Sequence, residues 1–144
     1  MTHGIDTDFL VAVEVVDHPF HRKADALLRD LLTADHDFAL APQTLAEFIH
    51  VVTDAKRMPQ PLSMTDAIAR AEGWWQAAEV RRVFPDGPCV GDFLGWLSRY
   101  QLSRKRLLNT LLAATYQRAG IKRLISNNDT DFAVFGCFEL VTFR

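Results

Sequence analysis

The sequence predicts an α/β fold: a mostly parallel sheet with helices on both faces. Three observations carry that expectation. Short apolar runs alternate with longer segments of helical periodicity, and Pro, Gly and polar caps mark the joints between them. The third is size: 144 residues, 49% hydrophobic and 24% charged, suit one globular domain spanning 1–144.

The elements follow in order. His3 to Thr7 reads as a short strand ending in an acidic turn, and the apolar run Phe9 to Val16 fits strand or helix equally well. Pro19 opens a helix to about Thr33, with Phe20, Ala24, Leu27, Leu28, Leu31 and Leu32 on one face. Asp37 to Leu40 is a buried strand. Pro42 begins a helix through Thr53 whose stripe is Leu45, Phe48, Ile49 and Val52, with Glu47 beside it.

Beyond a Pro-interrupted connection, Ser63 or Thr65 caps a helix from Asp66 to Glu79. On that helix Ile68, Ala71, Trp75 and Ala78 share a face, which turns Trp74 about 100° away as a candidate interface contact. Val80 to Phe84 is a strand and Pro85 to Pro88 a turn. Helices over Gly91 to Tyr100 and Lys105 to Ala119 follow, the second stopped by Gly120. Ile121 to Ile125 is a strand, Ser126 to Asp131 a polar loop, and Leu140 to Phe143 the last strand.

Charge narrows the function. With 16 Lys+Arg against 18 Asp+Glu, the net charge of -2 speaks against gripping nucleic acid by bulk charge. A metal ion or a local patch remains open. Cys89 and Cys137 lack disulfide-framework or metal-ligand spacing, which points to a reducing cytoplasm. The first residues lack a basic stretch followed by an apolar run, and no window nears the roughly 18 apolar residues of a membrane span.

In parallel α/β sheets a ligand site lies beyond the carboxyl ends of the strands. Asp6-Thr7-Asp8 and Ser126-Asn127-Asn128-Asp129-Thr130-Asp131 fall there, while Glu47 and Asn109 interrupt otherwise apolar helices. Singly, each has a plain structural use: strand-end cap, solvent-facing residue, helix-packing amide, turn former. Together, converging carboxylates and amide oxygens call for a hard cation such as Mg²⁺ or Mn²⁺.

Four segments in this order resemble the PIN-domain ribonucleases, specifically the VapC-type toxins of bacterial toxin–antitoxin pairs. They are Gly4-Ile5-Asp6-Thr7-Asp8-Phe9-Leu10, Leu45-Ala46-Glu47-Phe48, Lys105 to Ala114 around Asn109, and Leu124 to Phe132. The resemblance implies a PIN-like three-layer α/β/α sandwich and metal-dependent endonucleolytic cleavage of RNA. It implies a VapB-type antitoxin as partner and a homodimer. Asp6, Glu47, Asn109 and Asp131 would be catalytic and metal-holding, Asn128 a neutral helper, and Ser126 an orienting hydroxyl. Arg104, Lys105 and Arg106, at a helix N-terminus where the dipole disfavours cations, are candidate RNA or partner contacts.

Two departures stand out. The third motif normally carries Asp where this chain has Asn109. A unit charge pair at 4 Å is worth roughly 4 kcal/mol at a dielectric of about 20, so metal affinity and activity should fall. In the fourth motif, counting from Ser126 puts Asn128 at the acidic position, and counting back from Phe132 favours Asp129. A catalytically dead PIN-fold binding module is therefore one alternative. A haloacid-dehalogenase-type phosphatase, suggested by Asp6 and Asp8, is another.

Overall fold

The computed structural model describes residues 1–144. In chain order the strands are β1 (Thr2–Ile5), β2 (Asp37–Leu40), β3 (Val80–Arg82), β4 (Arg123–Ile125) and β5 (Glu139–Val141). The helices are α1 (Thr7–Glu14), α2 (His21–Thr33), α3 (Pro42–Val52), α4 (Met64–Gln76), α5 (Gly87–Arg99), α6 (Leu107–Arg118) and α7 (Asp129–Ala133), with a 3₁₀ turn at Arg104–Arg106. No helix is long and apolar enough to cross a membrane.

All five strands are parallel, in the order β3-β2-β1-β4-β5. The chain lays down β1, β2 and β3 toward one edge, then returns to the other side of β1 for β4 and β5. The reversal leaves a crevice between the carboxyl ends of β1 and β4.

Side chains alternate across the strands, so one sheet feeds two cores. Phe38, Leu40, Ile5 and Ile125 face Phe9, Leu10, Ala24, Phe48, Val52, Ala67 and Ala71 from α1 to α4. Ala39, Ala41 and Leu124 face Leu112, Ala113 and Tyr116 of α6, together with Phe132 and Phe135. The expected three-layer α/β/α sandwich is what forms.

Several boundaries differ from the sequence reading. The open run after Thr7 is helical, because Asp6 accepts the Thr7 N–H at 2.8 Å and starts α1 directly after β1. Helix α2 begins at His21 rather than Pro19. Ser63 is the cap of α4, accepting the Asp66 N–H. Helix α5 begins within the expected turn, because Asp86 caps the Cys89 N–H at 2.7 Å and Pro88 fits the first helical turn. The expected loop from Ser126 to Asp131 turns helical at Asp129, with buried Phe132 anchoring the turn. Gly120 ends α6 with φ +79, as a C′ glycine does.

The face of α4 is a correction. Ala67 and Ala71 are buried, and Trp74 continues their row against Phe38, ring centroids 6.5 Å apart. Ile68 is 42% exposed, and Trp75 is half-buried at the margin of the same core, against Phe84 and with the Arg82 guanidinium 5.1 Å from its ring. Small alanines let the helix approach the sheet closely, which sets its phase; ring size does not.

Tyr116 fixes the centre. Its ring lies where a side chain on Gly4 would stand, since a Cβ there would meet Tyr116 Cδ2 at 2.9 Å. Gly4→Ala is therefore expected to cost about 1–3 kcal/mol through overpacking. A lower urea midpoint with an unchanged m-value checks this; an unchanged midpoint would show that the ring yields freely.

Candidate active site

The crevice holds Asp6. Its carboxylate is 3% exposed, with Oδ1 accepting the Thr7 N–H at 2.8 Å and Oδ2 the Ser126 hydroxyl at 2.7 Å. Ser126, fully buried at the end of β4, also accepts the Asn128 N–H at 2.9 Å, which fixes where its proton points. This is the orienting geometry.

Asp8, one half-turn into α1, accepts the Asn127 N–H at 2.8 Å. Its Oδ1 is buried with no hydrogen-bond partner. Burial pushes the Asp8 carboxyl up to about 7, and the neighbouring Asp6 charge adds to the rise. Burial raises Asp6 as well, against the bonds from Ser126 and Thr7, and Glu47 adds repulsion. Two carboxylates thus share the N-terminus of α1, where the helix dipole favours negative charge but supplies no full counter-charge.

A cavity of about 240 Å³ opens over this pair, lined by Asp6, Thr7, Asp8, Glu47, Asn109 and Asn128 among others. Val11, Val51 and Met58 form an apolar wall and His18 completes it. Glu47 reaches it from α3, Asn109 from α6 and Asn128 from the start of α7. No lysine or arginine lines it.

Asp131 is not among the lining residues. Its Oδ2 accepts from Asn109 Nδ2 at 3.3 Å, Oδ1 lies 3.6 Å from Arg106 Nε, and its backbone carbonyl accepts from the Arg106 guanidinium. The expected convergence of Asp6, Glu47 and Asp131 is therefore corrected: a cation and an amide hold Asp131 to one side. Asp129 bonds Arg144 at 2.8 Å, so Asn128 is the fourth-motif residue at the cavity. Arg104 and Lys105 are exposed on the 3₁₀ turn, while Arg106 is committed to Asp131.

Asp8, which the sequence reading used only in the phosphatase alternative, and His18 also line the cavity. For Asp8 the signal was present: if Asp6 caps a helix, Asp8 falls in its first turn and faces the same crevice. The donor set, all oxygen, with an orphaned buried carboxylate oxygen, fits a hard divalent cation in kind. It is not a closed cage, because no three His, Cys, Asp or Glu side chains stand together closely enough to hold an ion.

No family model matches the chain. It is 29% identical over 133 residues to Ribonuclease VapC33 of Mycobacterium tuberculosis, covering 90% of each chain. Mycobacterium tuberculosis VapC20, a Sarcin-Ricin loop cleaving toxin, superposes with a TM-score of 0.72 at 18% identity, over 96% of this chain and 98% of that one. VapBC2 from Rickettsia felis, bound to a promoter DNA fragment, gives 0.70 at 15% identity over 100% of both chains. A toxin–antitoxin complex from Klebsiella pneumoniae gives 0.66 at 16% identity, over 99% of this chain and 98% of that one. Sheet order, acidic crevice and these likenesses together define a PIN-type α/β domain. Within that class its sequence is similar to a VapC ribonuclease over 90% of its length.

The buried pair gives a pH signature. A carboxyl raised in the folded state destabilises it above its folded pKa and ceases to do so below the unfolded value, near 3.8. In EDTA, Asp8→Asn should raise the melting temperature clearly at pH 8, less at pH 5 and hardly below about pH 4. Saturating Mn²⁺ should reverse the order at pH 8. An equal shift at both pH values in EDTA would remove the charge argument.

Proposed function

We propose that this chain is a divalent-metal-dependent endoribonuclease toxin, neutralised by a VapB-type antitoxin and acting as a homodimer. The observation that carries the reading is the Asp6–Asp8 pair: a buried carboxylate beside a half-buried one whose Oδ1 is buried and orphaned, at a cavity without a lysine or arginine. The words attached to the relatives support the rest: ribonuclease for one, cleavage of the Sarcin-Ricin loop for another, toxin–antitoxin complexes for others.

Asp6, Asp8, Glu47 and the Asn109 carbonyl oxygen would hold Mg²⁺ or Mn²⁺ once their side chains closed on the ion, since no three acidic side chains stand close enough as they are. When bound, such an ion supplies charge neutralisation at the phosphate and a more acidic water. Ser126 keeps the Asp6 carboxylate from rotating, and the Asn127 and Asn128 N–H groups keep Asp8 and Ser126 in register. Val11, Val51 and Met58 exclude water from one side. Arg104 and Lys105 remain free to meet RNA phosphate or an acidic partner.

One observation favours the second reading, a binding module without catalysis. The Asn109–Asp131 hydrogen bond turns an amide nitrogen and a carboxylate toward each other. A family-like aspartate in place of Asn109 would repel Asp131 until a cation arrived.

Cleavage of total RNA in Mg²⁺ or Mn²⁺ tests this. Wild type should cleave weakly, EDTA or Asp6→Asn should abolish cleavage, and Asn109→Asp should raise it about tenfold or more. No cleavage by either wild type or Asn109→Asp would leave the binding module. Light scattering should give twice the chain mass; a monomer would refute the dimer alone.

A further inference from the structure

A phosphodiester entering the cavity needs hydrogen-bond donors as well as a cation, because its remaining oxygens otherwise face carboxylates. Most donors at the cavity are already committed. The Thr7 N–H goes to Asp6, the Asn109 amide nitrogen to Asp131, and the Asn128 amide stabilises the charged Asp6. The Thr7 hydroxyl, buried on α1, has no partner, but it sits between Asp6 and Asp8, the acids that would hold the cation. The His18 imidazole stands half-buried on the segment between α1 and α2.

His18 is held in a defined pose. Its Nδ1 accepts the Phe20 N–H at 3.0 Å, and its ring lies 5.9 Å from that of Phe20. A neutral imidazole accepting at Nδ1 carries its proton on Nε2. No protein partner takes up Nε2. Burial first, and then the neighbouring His21, lowers the His18 pKa, which keeps the ring neutral and the Nε2–H in place.

We infer that His18 is a substrate-contacting residue whose Nε2–H donates to a non-bridging phosphate oxygen of RNA bound in the acidic cavity. The inference rests on the nuclease reading and adds to it a residue outside the four acidic motifs. Being neutral, His18 neither competes for the cation nor cancels the carboxylate charge that would hold it. Its contribution belongs to RNA affinity, not to metal affinity.

Two amide substitutions separate its two nitrogens. Asn places an oxygen near the Nδ1 position and keeps the acceptor for Phe20 N–H, without the distal donor. Gln places an N–H near the Nε2 position. Binding of a short fluorescein-labelled single-stranded RNA would be measured by anisotropy in Ca²⁺, with Mn²⁺ affinity of the RNA-free protein measured by calorimetry.

Loss of one hydrogen bond to a charged group should weaken RNA binding about tenfold in His18→Ala and His18→Asn. His18→Gln should recover most of that loss, and Mn²⁺ affinity should stay constant throughout. Unchanged RNA binding in His18→Asn, with wild type binding well, would overturn this inference and leave the nuclease reading standing. Loss of Mn²⁺ affinity in His18→Asn would overturn it too, by making His18 a metal ligand. Wild type that fails to bind RNA at all would remove both.

Discussion

The buried carboxylate of Asp6 is the constraint around which the rest is arranged. An ionised carboxylate withdrawn from water costs several kcal/mol unless it is hydrogen-bonded and compensated. Here the compensation is local and structural. Asp6 is the single residue between β1 and α1, so its side chain caps the helix that its own backbone begins. A longer connection would lose the cap and leave the charge unsupported. Ser126 supplies the second bond from β4, which makes the parallel pairing of Ile5 with Ile125 a condition for the site. Asn127 extends the linkage: its N–H binds Asp8 and its side-chain oxygen accepts the Phe143 N–H. One pair of acids thereby ties together the ends of β1, β4 and β5.

Tyr116 supports the same point from the opposite face. Its hydroxyl donates to the Ile5 carbonyl at 2.6 Å and lies 3.1 Å from the Ala39 carbonyl, and it accepts the Ile5 N–H at 3.2 Å. A side chain from α6 thus stands in for a ladder bond between β1 and β2 where the strands end. Burial pushes the phenol pKa up, so it remains a donor across the working pH range. Gly4 gives the ring its room. Asp6 is consequently fixed through β4 by a hydroxyl and through β2 by a phenol. Glu47 rides on α3, which begins just after β2, so the same phenol bears on the distance between the two acids.

What was legible in the sequence and what was not follow the range of the interactions involved. Alternation of short apolar runs with helical stripes is local, and it gave all five strands and the layered sandwich. Asp6 and Ser126 were legible because they follow expected strands, and Glu47 and Asn109 because they interrupt apolar helical stripes. Trp74 and Trp75 were not, because the phase of α4 is set by how closely Ala67 and Ala71 approach Phe38, a tertiary fact. The direction of Asp131 was hidden for a similar reason. It depends on a five-residue helix nucleated by Phe132 packing and on Arg106, remote in sequence. The role of Asp8 was missed because the helix start at Thr7 was left open.

Asn109 links these points. In a site with Asp at that position, the buried acids, Glu47 and Asp131 would all repel the newcomer, and only a cation would relieve them. The amide instead donates to Asp131 and leaves its carbonyl oxygen free to face the cavity. Arg106 completes the hold on Asp131 from the 3₁₀ turn that precedes α6. The chain can therefore keep its acidic cluster in order without a metal by turning one carboxylate away from it. The same contacts oppose the state in which Asp131 swings inward to share an ion. Under the proposed reading, an ion that drew Asp131 into the set would have to displace an amide hydrogen bond and an Arg106 contact, so its affinity would be coupled to the position of α7 rather than to the four ligand identities alone.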